Sequence, residues 1–269
     1  MTFLAARIHH GFAPNSSREA AETVSTVLAR PCFNLLTRLS ATRHGLQVAF
    51  TPEDSGTLLA YLTRPENDAV LLDNGRLGHL QALARIQTGG TPTLTRPALR
   101  RPAPLLSYLM LPVTTDQIPD VLAATCDLAV ALQGVAGAVT AVQSFEAAQA
   151  FALTKPAPPN GKTPPSARLR DRERSTLYYF LSQLDTLIPA PEWGLFLSSG
   201  HLEALPDSSL HDTAAFVKAQ ELVSGRLIFL QMTANPLDAL TPQFDDRLGH
   251  ARELLQPILM DASQVPEKA

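Results

Sequence analysis

Ser198, Ser199 and His201 stand almost side by side in the chain, and a hydroxyl next to an imidazole is the pairing that nucleophilic catalysis uses. That chemistry also needs a strained Gly-x-Ser-x-Gly elbow and a carboxylate to orient the base, and neither is identifiable here. The stretch is therefore read as a helix start, with Ser198 or Ser199 capping a short helix that carries Leu202 and Leu205. Of the seven histidines, at positions 9, 10, 44, 79, 201, 211 and 250, only His9-His10 are adjacent. Neighbours on a strand point to opposite faces, so the pair is ill placed to chelate one metal. Gly161-Lys162-Thr163 has part of a phosphate-binding loop, but Pro156 occupies the position that loop needs as glycine, and the surrounding prolines forbid strand-loop-helix geometry. Asp245-Asp246 suit the positive end of a helix better than a catalytic pair. These residues predict no catalytic, metal or cofactor site; an enzyme would need distant groups such as His44, His201 and Asp212 gathered in a pocket.

The elements around these residues follow from periodicity. Leu227 to Met232 is a nearly unbroken apolar run between Gly225 and Asn235-Pro236, which reads as a strand buried on both faces. Trp193 to Leu197 is the strand before it, and Trp193, the only tryptophan, reads as core rather than as a partner anchor. Further strands are expected at Phe3–Ile8, Leu46–Phe50, Ala69–Leu72, Leu105–Val113 and Ala138–Val142. Helices are expected after a Ser16/Glu19 capping box, after Thr51-Pro52, from Thr115 or Asp116 to Gly134, over Ser144–Leu153, after the charged Arg168–Arg174 stretch, and from Thr241-Pro242 to Pro257. Within Gly75–Arg101, Leu80, Leu83 and Ile86 have helical spacing, but Gly89-Gly90, Pro92 and Pro97 break the pattern, so part of the segment reads as an exposed excursion. The predicted fold class is α+β, mainly antiparallel, with helices packed largely on one face and two strand-helix halves.

Proline-rich 155–168 reads as a linker or long surface loop between an N-terminal half, 1–154, and a C-terminal half, 169–269, which together form two domains or one continuous domain. A net charge of −3 argues against general nucleic-acid or anionic-membrane binding. Cys32 and Cys126 lack metal-type spacing and read as reduced thiols, which suits a cytoplasmic protein. The first residues lack signal-peptide organisation, and no run reaches membrane-span length. Arg168, Arg170, Arg172 and Arg174 alternate with Asp171 and Glu173, the pattern of a solvated helix start.

The order Glu192-Trp193-Gly194, Gly200-His201-Leu202, the Gly225–Thr233 strand, Asn235-Pro236-Leu237-Asp238 and a terminal helix resembles bacterial immunity-type proteins, including the immunity protein 52 group and type VI secretion immunity proteins. The resemblance spans roughly 190–260, and the proline-rich 155–165 departs from it. It implies an α+β protein of the toxin-producing cell that binds and neutralises a cognate toxin or effector without catalysis or cofactors. A structural or regulatory interaction module is the alternative. Loops on a packed scaffold are the natural binding surface, which selects Gly75–Arg101 and Pro206–Thr213, and within them Arg96, Arg100 and His211.

Overall fold

Eight consecutive buried residues, Phe3–His10, form the strand on which the rest of the chain is assembled. The computed structural model describes residues 2–10, 17–41, 47–51, 54–64, 70–74, 85–88, 105–152 and 183–261. Its strands in chain order are β1 (Phe3–His10), β2 (Arg38–Ala41), β3 (Gln47–Ala49), β4 (Val70–Asp73) and β5 (Arg85–Thr88). They continue with β6 (Leu105–Pro112), β7 (Gly134–Val142), β8 (Gly194–Ser198), β9 (Lys218–Val223) and β10 (Leu227–Gln231). All ten join one sheet in the order β3-β2-β4-β5-β6-β1-β7-β8-β10-β9, and each ladder is antiparallel. Between β7 and β8, Ala136 pairs with Leu197 and Val139 with Gly194, so one sheet spans both sequence halves. The 155–168 segment itself lies outside the described residues.

Alternation along β1 assigns the helices to faces. Phe3 meets the Phe145 ring edge-on at 6.0 Å, and the Arg7 guanidinium lies 4.7 Å from the Phe151 ring centre. The odd positions thus face α4 (Phe145–Ala152). On the other face, the space beside Gly134 is closed by Ile8 together with Ala129 of α3 (Ile118–Ala131). Helix α1 (Arg18–Leu28) packs on α3 and on α2 (Ser55–Leu62). Three helices layer on one face while α4 covers the centre of the other, which makes the fold α+β with an antiparallel sheet, as expected. Shorter helices α5 (Ser199–Leu202) and α6 (Asp207–Leu210) follow β8, and α7 (Phe244–Leu254) follows β10.

The junction of β7, β8 and β10 depends on two glycines. A Cβ on Gly137 would approach the Arg7 carbonyl at 2.6 Å and the Phe196 ring at 2.9 Å; one on Gly194 would come within 2.7 Å of the Phe229 ring. Each ring fills the space that a neighbouring strand's side chain would occupy, and the two rings lie 4.9 Å apart. Leu227–Gln231 is buried throughout, as its composition predicts.

Several expected boundaries move. Ser17 rather than Ser16 caps α1, with its side chain accepting from the Ala20 amide; Asp54 rather than Thr51 caps α2, accepting from Thr57. The side chain that reaches the third helical amide decides the cap, and sequence spacing leaves neighbouring candidates equivalent. Helix α7 begins at Phe244, because Pro236–Leu240 is a 3-10 turn that ends at Thr241. Helix α3 turns off through Gln133, whose φ of 51° is left-handed, and Gly134 already belongs to β7. Strand β5 lies inside the expected excursion, and β2 is a strand that the sequence pattern did not predict.

Candidate functional site

Ser198 and His201 do meet. The Ser198 hydroxyl lies 2.9 Å from His201 Nδ1, but Nδ1 also accepts the Ser198 backbone N–H at 3.1 Å, and the hydroxyl donates to the Asp185 carbonyl at 2.9 Å. The imidazole thus completes the start of α5 as a capping side chain, with Ser198 as the N-cap residue that the sequence suggests. Burial sets its chemistry: His201 is inaccessible to solvent, and desolvation pushes its pKa down to about 4 against the weaker pull of the Leu187 backbone and the Asp185 charge. Among the described residues no group completes a hydrogen bond with Nε2. A buried hydroxyl already engaged with a carbonyl, beside an imidazole already engaged with an amide, has no free nucleophile to offer. Helix α5 is tightly seated, since a Cβ on Gly200 would meet the Asp185 carbonyl at 2.4 Å.

His9 and His10 split to the two faces of β1, as neighbours on a strand must. His10 Nε2 lies 2.8 Å from the Ser107 hydroxyl on the adjacent β6. His9 is buried with Arg7 on the α4 face, and neither of its ring nitrogens has a hydrogen-bond partner among the described residues. Burial first, then the charge of Arg7 and the neighbouring His10, lowers its pKa to about 3. It is a neutral core residue. Among the described residues no three His, Cys, Asp or Glu side chains are grouped to hold a metal. Burial also raises the pKa of both thiols, that of Cys126 to about 12, so neither is an activated nucleophile.

The remaining candidates are surface residues. His211 follows α6 and is exposed, between Asp207 and Ser208 on one side and Thr213 and Ala214 on the other, all exposed. The chain then enters β9, the outermost strand on this side of the sheet. Just before it stands Val217, the large hydrophobic residue left most open among those described, at 49% exposure. Asp212 is half-buried and engaged: its Oδ1 accepts from the Ala214 and Ala215 amides, and its Oδ2 lies 3.3 Å from His250 Nε2 on α7. Burial pushes the Asp212 pKa up, but those hydrogen bonds and the His250 contact together outweigh it and hold it below the ordinary range. So Asp212 has a structural partner, and His201 is occupied as a cap. His44, Arg96 and Arg100 lie outside the described residues.

Sequence reasoning missed β9, Val217, Arg247 and His250 as parts of this surface. A signal for β9 was present in Ser224-Gly225-Arg226, a three-residue connection whose Gly225 has φ 62°, the left-handed conformation such hairpin loops demand. No equivalent signal exists for the roles of Arg247 and His250, which arise only when α7 folds back.

No family model and no curated protein matches the chain. Among solved structures its fold is similar to that of the Pseudomonas aeruginosa T6SS protein PA0821, with a TM-score of 0.58 over 97% of this chain and 74% of that one. Sequence identity between the two is 11%, so what they share is the fold.

Proposed function

We propose that this chain is a non-catalytic binding protein of a type VI secretion setting, an immunity-type protein that neutralises a cognate toxin or effector by covering it. The fold shared with a T6SS protein is the observation that supports this reading. The use of Ser198 and His201 as a helix cap is in keeping with a role that needs no nucleophile. The surface we assign to the partner is formed by the exposed residues between Pro206 and Ala219, centred on His211 and Val217 and set on the end of the sheet, with Ser209, Ala215 and Phe216 buried beneath them. Inhibition by covering needs about 800 Å² on each partner, with a few anchors at its centre.

The test is co-expression with the toxin or effector encoded beside this chain. Restored growth and co-elution of the purified pair, with a Kd near nanomolar or about −12 kcal/mol, are the expected results. His211→Ala should weaken binding at least tenfold while leaving the melting temperature unchanged, because the side chain is exposed. No rescue and no complex would overturn the immunity reading and leave a structural or regulatory interaction module in its place.

A further inference from the structure

Helix α7 rests on the protein through a narrow apolar stripe. Of its eleven residues Phe244 and Ala251 are buried, and Leu248 and Leu254 are half-buried against the core. Its polar attachment is more extensive. Arg247 Nη1 donates to the Met232 carbonyl at 2.7 Å and lies 3.3 and 3.4 Å from the carbonyls of Thr213 and Ala215. One turn on, His250 Nε2 lies 3.3 Å from Asp212 Oδ2. Residues 212–216 in turn are closed on themselves through Asp212, whose carbonyl accepts from the Ala215 and Phe216 amides and whose side chain accepts from Ala214 and Ala215.

Each partner thus supplies what the other lacks. If α7 leaves, three carbonyls lose their shared guanidinium donor and Asp212 loses its imidazole. If the 212–216 turn loosens, Arg247 loses two of its three acceptors and His250 loses Asp212, and α7 keeps the Met232 carbonyl and its narrow apolar stripe. Segments with few buried apolar contacts open below the global unfolding free energy, and segments that share their hydrogen bonds open together. We infer that α7 and the 212–216 turn open and close as one cooperative unit, with Arg247 as its latch. Because His211 adjoins the turn, this unit governs how long the surface around His211 stays formed.

Gly249 makes the inference testable from a distance. It is exposed in the middle of α7, and a Cβ added there meets nothing within 4 Å. Replacing an interior helical glycine by alanine favours the helix about fivefold. Native-state hydrogen exchange on full-length Gly249→Ala should therefore slow the Ala251 and Leu255 amides about fivefold. It should slow the Ala215 and Phe216 amides by the same factor, although residue 249 lies 33 positions beyond Phe216 in the chain. Amides of β1 should not change. Arg247→Met, which keeps the aliphatic stem and removes the donors, should speed both sets by one common factor of about tenfold or more. Slowing confined to α7 in Gly249→Ala would overturn the inference, as would faster exchange confined to the turn in Arg247→Met. No partner protein enters either measurement, so failure here leaves the immunity reading standing, and failed growth rescue leaves the latch standing.

Discussion

Acid should unfold this protein through two histidines buried in its interior. His9 and His201 are both buried, with pKa values pushed down to about 3 and about 4 by desolvation. In the unfolded chain each titrates near 6.5. Between 6.5 and its folded value, the unfolded state takes a proton that the folded state refuses. Stability from these groups is therefore complete above pH 6.5 and is lost as pH falls towards 4 and then 3. Each pH unit in the upper part of that window costs about 1 kcal/mol per histidine, so going from pH 6.5 to 4.5 costs about 2 kcal/mol for each and about 4 kcal/mol for both. That is comparable with the whole stability of a marginal domain, about 5–15 kcal/mol. Trp193, the only tryptophan and fully buried, provides the fluorescence signal for urea denaturation at pH 7 and pH 4.5. Carboxylate contributions cancel when a variant is compared with wild type. His9→Leu should remove about 2 kcal/mol of the pH-dependent loss, and His201→Asn, which keeps a capping acceptor, should remove a similar amount. Equal losses in wild type and His9→Leu, within about 0.5 kcal/mol, would refute the argument that His9 stays neutral in the folded core.

Other consequences concern the core and the thiols. Gly194→Ala should cost about 1–3 kcal/mol in denaturant melts, because its Cβ would sit 2.7 Å from the Phe229 ring on a fully packed sheet. Phe229→Ala, at a side chain only 1% exposed, should cost about 3–5 kcal/mol, and the double variant should lose less than the sum, since the alanine methyl occupies space the ring vacates. Reaction with a thiol reagent at pH 8 should be slow for Cys32 and slower for Cys126, whose pKa near 12 leaves almost no thiolate; denaturant should equalise the two rates.

The sequence by itself determined most of what depends on local pattern. The apolar runs at Phe3–Ile8, Leu105–Val113 and Leu227–Met232 announce buried strands because both faces of each must be covered, and hydrophobic composition alone reports that. The capping role of Ser198 was legible for a similar reason, since its partner amide and His201 lie within one helical turn. The α+β class followed from the alternation of such elements. Tertiary structure decided the rest. Strand order was invisible, because nothing local says that β1 lies between β6 and β7 or that β8 joins β7 across the expected boundary. The short strands β2 and β5 lack a hydrophobic period strong enough to read, and they exist because neighbouring strands supply their hydrogen bonds. Ring-over-glycine packing at Gly137 and Gly194 needs residues about 60 and 35 positions apart to be brought together. Arg247 and His250 read as ordinary polar residues of an amphipathic helix until folding places the carbonyls of Thr213, Ala215 and Met232 and the Asp212 carboxylate before them. Their roles rest on acceptors from distant segments, and that information resides in the closed chain and not in any window of its residues.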